Sequence, residues 1–288
     1  MHWTERRERF RALLDGDECI HPGSVYDAIS ARIAEDLGFE VGMFAGSVGS
    51  LSVLGAPDLI VLTLTEFAQQ AYRICRAGNL ALLVDADHGY GNALNVRRTV
   101  EELESAGVAA LTIEDTILPT PYGQTGGAEL ISLEEGVGKM RAALEGRQDS
   151  SLVVAGRTSA PQITGLDDAI ARAKAYEAAG VDAMFFVGIN TPEELERIGN
   201  EINIPIFLGS LGPELQDKAQ LGRLGVRIGL QGHMPIMAGI QAVYNTLKAL
   251  REGTAPRDIE GVAPADLMKQ LTRGEDYARM TKDHLASK

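Results

Sequence analysis

The sequence predicts an α/β protein built as a (β/α)8 TIM-type barrel, and three observations carry that expectation. Apolar runs alternate with amphipathic segments along most of the 288 residues. The runs are continuous, as in Leu80-Ala81-Leu82-Leu83-Val84, which suits parallel strands covered on both faces rather than strands with one wet side. Eight such runs can be counted, in a length ordinary for one barrel.

Taken in order, the first candidate strand lies near 18–21 and is the weakest. The others fall at 40–45, 80–84, 109–113, 151–155, 182–187, 204–208 and 225–230. The segments between them have helical period. In 95–106, Val96, Val100 and Leu103 share one face, with Asn95 as N-cap and Gly107 just past the end. In 167–179, Ile170, Ala173 and Tyr176 repeat the pattern between Asp167 and Gly180. A local phrase recurs, a helix ending in glycine with an apolar strand at once behind it. It occurs at Leu37-Gly38-Phe39, Ala106-Gly107-Val108, Ala179-Gly180-Val181 and Leu224-Gly225-Val226. The first two spacings, 69 and 73 residues, are close to two eighths of the chain. Repeated βα units require such a spacing, although short αβ loops favour glycine there in any case.

Uninterrupted alternation means a parallel sheet. An open dinucleotide-binding sheet would carry G-x-G-x-x-G after its first strand, and Gly23-Ser24-Val25-Tyr26 does not supply it. The expectation is therefore one barrel domain over 1–288, with its core over about 18–253. A polar helical extension over about 254–288, broken at Pro256 and Pro264, lies outside the eight units and is free to pack on a neighbouring subunit.

Hydrophobic residues make up 45% and charged residues 23%, the balance of a folded chain. The formal charge of −13 speaks against nucleic acid or an anionic membrane as partner. It leaves room for an anionic substrate, because a metal and one arginine can invert the field inside a site. Two cysteines, Cys19 and Cys75, form no disulfide framework, which fits a reducing compartment. No apolar signal segment opens the chain, and no run approaches the roughly 20 residues of a membrane helix. The expected location is the cytoplasm.

Barrel chemistry sits where the strands end. The third run is followed by Asp85-Ala86-Asp87-His88-Gly89-Tyr90-Gly91-Asn92. If the strand persists, residues two apart face the same way, so Asp85 and Asp87 converge. Two close carboxylates want a cation, and oxygen ligands suit Mg²⁺ or Mn²⁺. A solvated pair capping the next helix is the plain alternative. Glu114, after the fourth run, is placed to hold metal-bound water or to form a salt bridge. Arg157 emerges from the fifth run; its fork fits a carboxylate ligand, or a structural ion pair with Glu114 or Asp115. Ala45-Gly46-Ser47 could offer backbone N–H groups and the Ser47 hydroxyl to an oxyanion. His233 follows the eighth run, either touching substrate or capping a helix, and His88 is expected to orient others rather than to act as a ligand. The 116–132 stretch, rich in proline and glycine, has the composition of a mobile loop over the mouth.

These residues, in this order, resemble the isocitrate lyase/phosphoenolpyruvate mutase superfamily over roughly 20–250. The matching phrases are Tyr26-Asp27-Ala28 with Ser30-Ala31, Gly46-Ser47, the Asp85–Asn92 run, Ile113-Glu114-Asp115 and Arg157-Thr158. The resemblance implies Mg²⁺ (or Mn²⁺) at Asp85, Asp87 and Glu114, chelated by an α-keto acid that Ser47 and Arg157 hold. The lyases of the superfamily carry a cysteine in the loop after the fourth strand. Here that stretch reads Thr120-Pro121-Tyr122-Gly123-Gln124. Asp58 resembles a position used by the phosphonopyruvate-processing members, without the rest of their loop pattern.

The oxaloacetate decarboxylase branch is the most similar, in the run from Asp85 to Val96, in Thr112–Thr116 and in Gly232-His233. Ser159, where Asn or Asp is usual, and Leu211 depart from it. The resemblance thus implies Mg²⁺-dependent decarboxylation of oxaloacetate to pyruvate and CO₂ through a metal-stabilised enolate, with Arg157 and His233 as catalytic residues. It also implies a homodimer or homotetramer, the relatives being helix-swapped. A (methyl)isocitrate-type C–C lyase, a phosphonopyruvate hydrolase, or a non-catalytic binder of α-keto dicarboxylates are the alternatives.

Overall fold

The apolar runs become eight short parallel strands, seen in a computed structural model that describes residues 3–285. They are β1 (Gly23–Ser24), β2 (Val41–Phe44), β3 (Ala81–Asp85), β4 (Ala110–Glu114), β5 (Val153–Thr158), β6 (Ala183–Phe186), β7 (Ile206–Leu208) and β8 (Val226–Gly229). Each pairs in parallel with the next in sequence. The ring is closed by Ile20, whose N–H donates to the Arg227 carbonyl at 2.9 Å and whose carbonyl accepts from Gly229 N–H at 3.0 Å. The expected strand at 18–21 is thereby only a single bridge, followed by two-residue β1. Pro22 stands between them and has no N–H to give, so the ladder breaks there. The (β/α)8 barrel read from the sequence is the fold observed.

The helices are α1 (Thr4–Leu14), α2 (Ala28–Asp36), α3 (Gly46–Gly49), α4 (Leu64–Cys75), α5 (Ala93–Ser105), α6 (Leu133–Gly146), α7 (Ala160–Ile163) and α8 (Leu166–Ala179). There follow α9 (Pro192–Gly199), α10 (Lys218–Arg223), α11 (Met234–Arg251), α12 (Ala265–Leu271) and α13 (Gly274–Leu285). Their starts are set by side chains that satisfy the orphan N–H groups of the first turn. Reciprocal capping boxes form at Asp27/Ser30, Thr63/Glu66, Asn92/Asn95 and Thr191/Glu194. The third of these corrects the sequence reading. Asn95 is the inner half of the box, and α5 begins at Ala93 with Asn92 as its cap. The glycines of the repeated phrase, Gly38, Gly107, Gly180 and Gly225, all have positive φ, as left-handed helix ends require.

Two compact units make up the chain, dividing between Gly232 and His233. The first contains every strand, while α11, α12 and α13 belong to the second. In the first, the apolar core lies inside the ring and between ring and helices, with Phe44 of β2 stacked on Phe67 of α4 at 4.7 Å. The strands' N-terminal ends are covered by α1, whose Phe10 meets Phe207 edge-on. All four arginines of α1 reach carbonyls near those ends, Arg9 taking Asn79. Arg6 takes Cys75 and Gly78, Arg7 takes Glu104 and Val108, and Arg11 takes Ser151 and Leu152. Arg7 and Arg11 are also paired with Asp149 and Asp182. Arg6 and Arg7 are buried charges, tolerated because each guanidinium donates to oxygens of three residues.

Candidate functional site

At the opposite, C-terminal end of the barrel the strands deliver their polar residues by register. Asp85 closes β3 beside Thr112 of β4, and Glu114 closes β4 beside Arg157 of β5. Arg157 uses both arms of its fork. Nη1 pairs with Asp85, and Nη2 lies 3.3 Å from Glu114 Oε2. Its guanidinium also lies over the Phe185 ring, 5.4 Å from the centroid. The ion-pair reading of Arg157 therefore holds in this state for Glu114, with Asp85 as second partner. Asp115 is taken instead by Arg172 and Tyr176. Thr112 Oγ1 donates to Asp85 at 3.0 Å and Thr116 Oγ1 donates to Glu114 at 3.1 Å, fixing both carboxylates from behind.

Asp87 joins them by a different route from strand alternation. β3 ends at Asp85, and Asp87 is left-handed, with φ 48°. Its carbonyl accepts from Glu114 N–H at 2.8 Å, and Ala86 N–H donates to the Thr112 carbonyl at 3.1 Å. These two bonds fold the chain after β3 back across the end of β4. The Asp87 carboxylate then lies against the backbone of Gly46, where a methyl group would overlap both its oxygens. Ser47 follows Gly46 in the first turn after β2, half-buried. His88 is buried, and its carbonyl is held at 2.9 Å by the ammonium of Lys139, itself buried on α6. Burial, helped by that ammonium, pushes the His88 imidazole down to about 4, so it is neutral at physiological pH.

The charges at this end do not balance. Burial and the neighbouring carboxylates Asp85, Glu114 and Asp58 push Asp87 well above the usual carboxylate range, with Arg157 opposing. Glu114 is raised by burial and Asp85 against the pull of Arg157. Asp58, in the exposed segment after Pro57, is raised by partial desolvation of its carboxylate and by Asp85, against the pull of Arg157. Four carboxylates thus face one arginine, an excess of negative charge that a divalent cation would neutralise. Among the described residues no three His, Cys, Asp or Glu side chains already converge as a closed coordination set. That donor set fits a hard cation of the Mg²⁺ kind, which keeps several waters and takes one or two carboxylates plus substrate oxygens.

The segment expected to cover the mouth leaves β4 as an antiparallel bridge, Thr116 against Leu130, and returns through Ile131 to α6. Tyr122 at its tip is fully exposed. His233 stands outside the unit that contains the strands. It occupies the N-cap position of α11, without a side-chain capping bond. Lys139 was not singled out by sequence reasoning as part of the site, while Thr112, Thr116 and Gly46 entered only within matching phrases or as backbone, with no contact assigned to their positions. Thr112 had a signal, being the one polar residue on the Glu114 side of an otherwise apolar run. Lys139 had none, as a lysine on a helix is ordinarily solvated.

The family model for phosphoenolpyruvate phosphomutase matches residues 10–251. The chain belongs to that family. Within it, an oxaloacetate decarboxylase of Bradyrhizobium diazoefficiens is 58% identical to this family member over 288 residues, covering 100% of each chain. A protein of the same name from Rhodopseudomonas palustris (strain ATCC BAA-98 / CGA009) is 55% identical, again over 100% of each. Solved structures of similar fold include oxaloacetate acetylhydrolase in complex with 3,3-difluorooxalacetate. It has a TM-score of 0.86 and 27% identity, covering 99% of both chains. Phosphonopyruvate hydrolase in complex with oxalate and Mg²⁺ gives a TM-score of 0.84 and 26% identity, covering 98% of this chain and 99% of that one.

Proposed function

We propose that this family member is a divalent-metal-dependent oxaloacetate decarboxylase, giving pyruvate and CO₂. The observation that carries the reading is a site of carboxylates around one forked arginine, with no thiol among its described residues. Both cysteines are buried away from it, and burial pushes Cys19 up to about 11 and Cys75 up to about 12. Cleavage of a β-keto acid needs neither nucleophile nor strong base, only a place for the electron pair left when C3–C4 breaks. The name and full-length identity of the relatives above support the same substrate.

Asp85 and Asp87 would hold the cation, with Glu114 fixing its water. A bound divalent ion supplies a Lewis acid at the C2 oxygen. Arg157, with one arm on each of two protein carboxylates, is the group able to trade them for the C1 carboxylate of the substrate once the cation neutralises Asp85 and Glu114. The Ser47 hydroxyl supports that end. His233 enters this reading through the resemblance to the decarboxylase branch alone, as a group that would orient the C4 end of the substrate or return a proton to the product. The buried residues of β6, Phe185 among them, exclude water from the guanidinium.

With purified protein and Mg²⁺ or Mn²⁺, oxaloacetate is expected to yield pyruvate faster than with the metal alone, and chelation stops it. A rate no better than metal alone sinks the assignment. Oxalate and acetate as products would move it to the acetylhydrolase chemistry, and phosphate from phosphonopyruvate to the hydrolase.

We also assign a homo-oligomer. Met237, Ile240, Tyr244 and Leu247 form an exposed apolar stripe along α11 at helical spacing, which a second copy would bury. Sedimentation velocity is expected to give a dimer or tetramer; a monomer at micromolar concentration contradicts this. No helix among the described residues is long and apolar enough to cross a membrane. The two free thiols support the cytoplasm as compartment.

A further inference from the structure

Two complementary groups in one turn lack partners. Tyr90 Oη is buried and receives and donates no hydrogen bond. Three residues earlier, no described residue donates a hydrogen bond to the Asp87 carboxylate, although its backbone is held on both sides. Buried hydroxyls are nearly always bonded, so an orphan at a functional end needs a reason. The backbone adds another: Asp87 and Tyr90 are both left-handed, φ 48° and 60°, in a turn that also carries positive φ at Gly89 and Gly91. An aromatic residue is disfavoured in that region, and such strain persists only where its surroundings impose it. The ring packs in tilted contacts with Phe67 and His88, with its hydroxyl buried. The hydroxyl also lies in the field of the acidic cluster. Burial together with Asp87 and Asp85 raises it far above an ordinary tyrosine, which keeps it a proton donor at every physiological pH.

We propose that the Tyr90 hydroxyl is the outer hydrogen-bond donor that sets the Asp87 carboxylate for the divalent cation, a positioning role resting on the metal reading above. Without a cation Asp87 is crowded by like charges and lies against Gly46, and the hydroxyl has no acceptor in reach. A bound cation would engage one Asp87 carboxylate oxygen, and the other would be available to accept from Tyr90. Outer-shell donors of this kind orient their ligand and raise metal affinity.

The test is direct Mn²⁺ binding to the full chain without substrate, by paramagnetic resonance of the free ion and by calorimetry. In Tyr90→Phe the affinity is expected to fall about 10- to 100-fold, while the melting temperature in chelator stays the same or rises, because an unbonded buried hydroxyl has been removed. A second readout is spectroscopic. Mn²⁺ or Mg²⁺ should shift the near-ultraviolet tyrosine band of the parent to longer wavelength, and the variant should lack that shift. Affinity within twofold of the parent, or a raised KM with Mn²⁺ affinity unchanged, overturns the proposal and leaves the metal reading standing. A parent that binds no Mn²⁺ overturns both.

Discussion

Arg157→Ala is expected to lower kcat/KM for pyruvate formation by about 10²–10³, the usual worth of a preorganised charged group at a reacting oxyanion. The same substitution should act on the protein without substrate, because Arg157 is the counter-cation of Asp85 and Glu114. Removing one partner of a buried pair costs about 3–5 kcal/mol, since it strands the other charge. In chelator the variant should therefore melt well below the parent. Added Mg²⁺ should recover much of that loss, giving the variant a larger metal-induced rise in melting temperature. Arg157→Lys should not restore activity, as a single ammonium cannot reach two carboxylates with a planar fork. Activity within tenfold of the parent in the alanine variant, measured by coupled pyruvate detection, would remove Arg157 from the mechanism.

The second large effect is expected at a residue with no side chain. In Gly46→Ala the new methyl meets the Asp87 carboxylate and little else. Asp87 can rotate aside, so folding should survive with a cost of about 1–3 kcal/mol, typical of overpacking. The cation site should not survive, because its oxygens are then aimed elsewhere. A loss of about 10² in kcat is the expected result, since misplacing a positioned group by about 1 Å has that effect. It should come with weakened Mn²⁺ affinity and a melting temperature in chelator close to the parent. Full activity would mean that Asp87 does not have to stand where it stands now.

The barrel was legible because parallel strands buried on both faces leave unbroken apolar runs, and seven of the eight lie within a few residues of their expected places. The first strand was not, because Pro22 splits it in a way that only the pairing on either side reveals. At the site, Asp85, Glu114 and Arg157 could be read from their positions immediately behind apolar runs. Asp87 was read for the wrong geometric reason. It reaches the cluster through a left-handed turn stitched to Thr112 and Glu114, and no periodicity encodes such a turn. Lys139 stayed hidden because its importance lies in what it touches across 51 residues of chain, and Gly46, read only for its backbone N–H, meets Asp87 across 41. Whether His233 meets the substrate was a matter of resemblance from the start, and its place at the head of α11 leaves it there.

The arginines of α1 have a consequence for how the chain reaches this state. α1 precedes every strand in the sequence, yet Arg7 pairs across 142 residues and Arg11 across 171. Until Asp182 exists, the carbonyls and carboxylates that hold α1 are incomplete, because Arg11 lacks its carboxylate. A segment that precedes all eight strands is thus among the last to be fully fastened, a clasp that waits for the sixth strand. Folding of so non-local a base is slow by the ordinary relation between contact separation and rate, and a ribosome-bound chain that ends before Asp182 carries α1 incompletely docked.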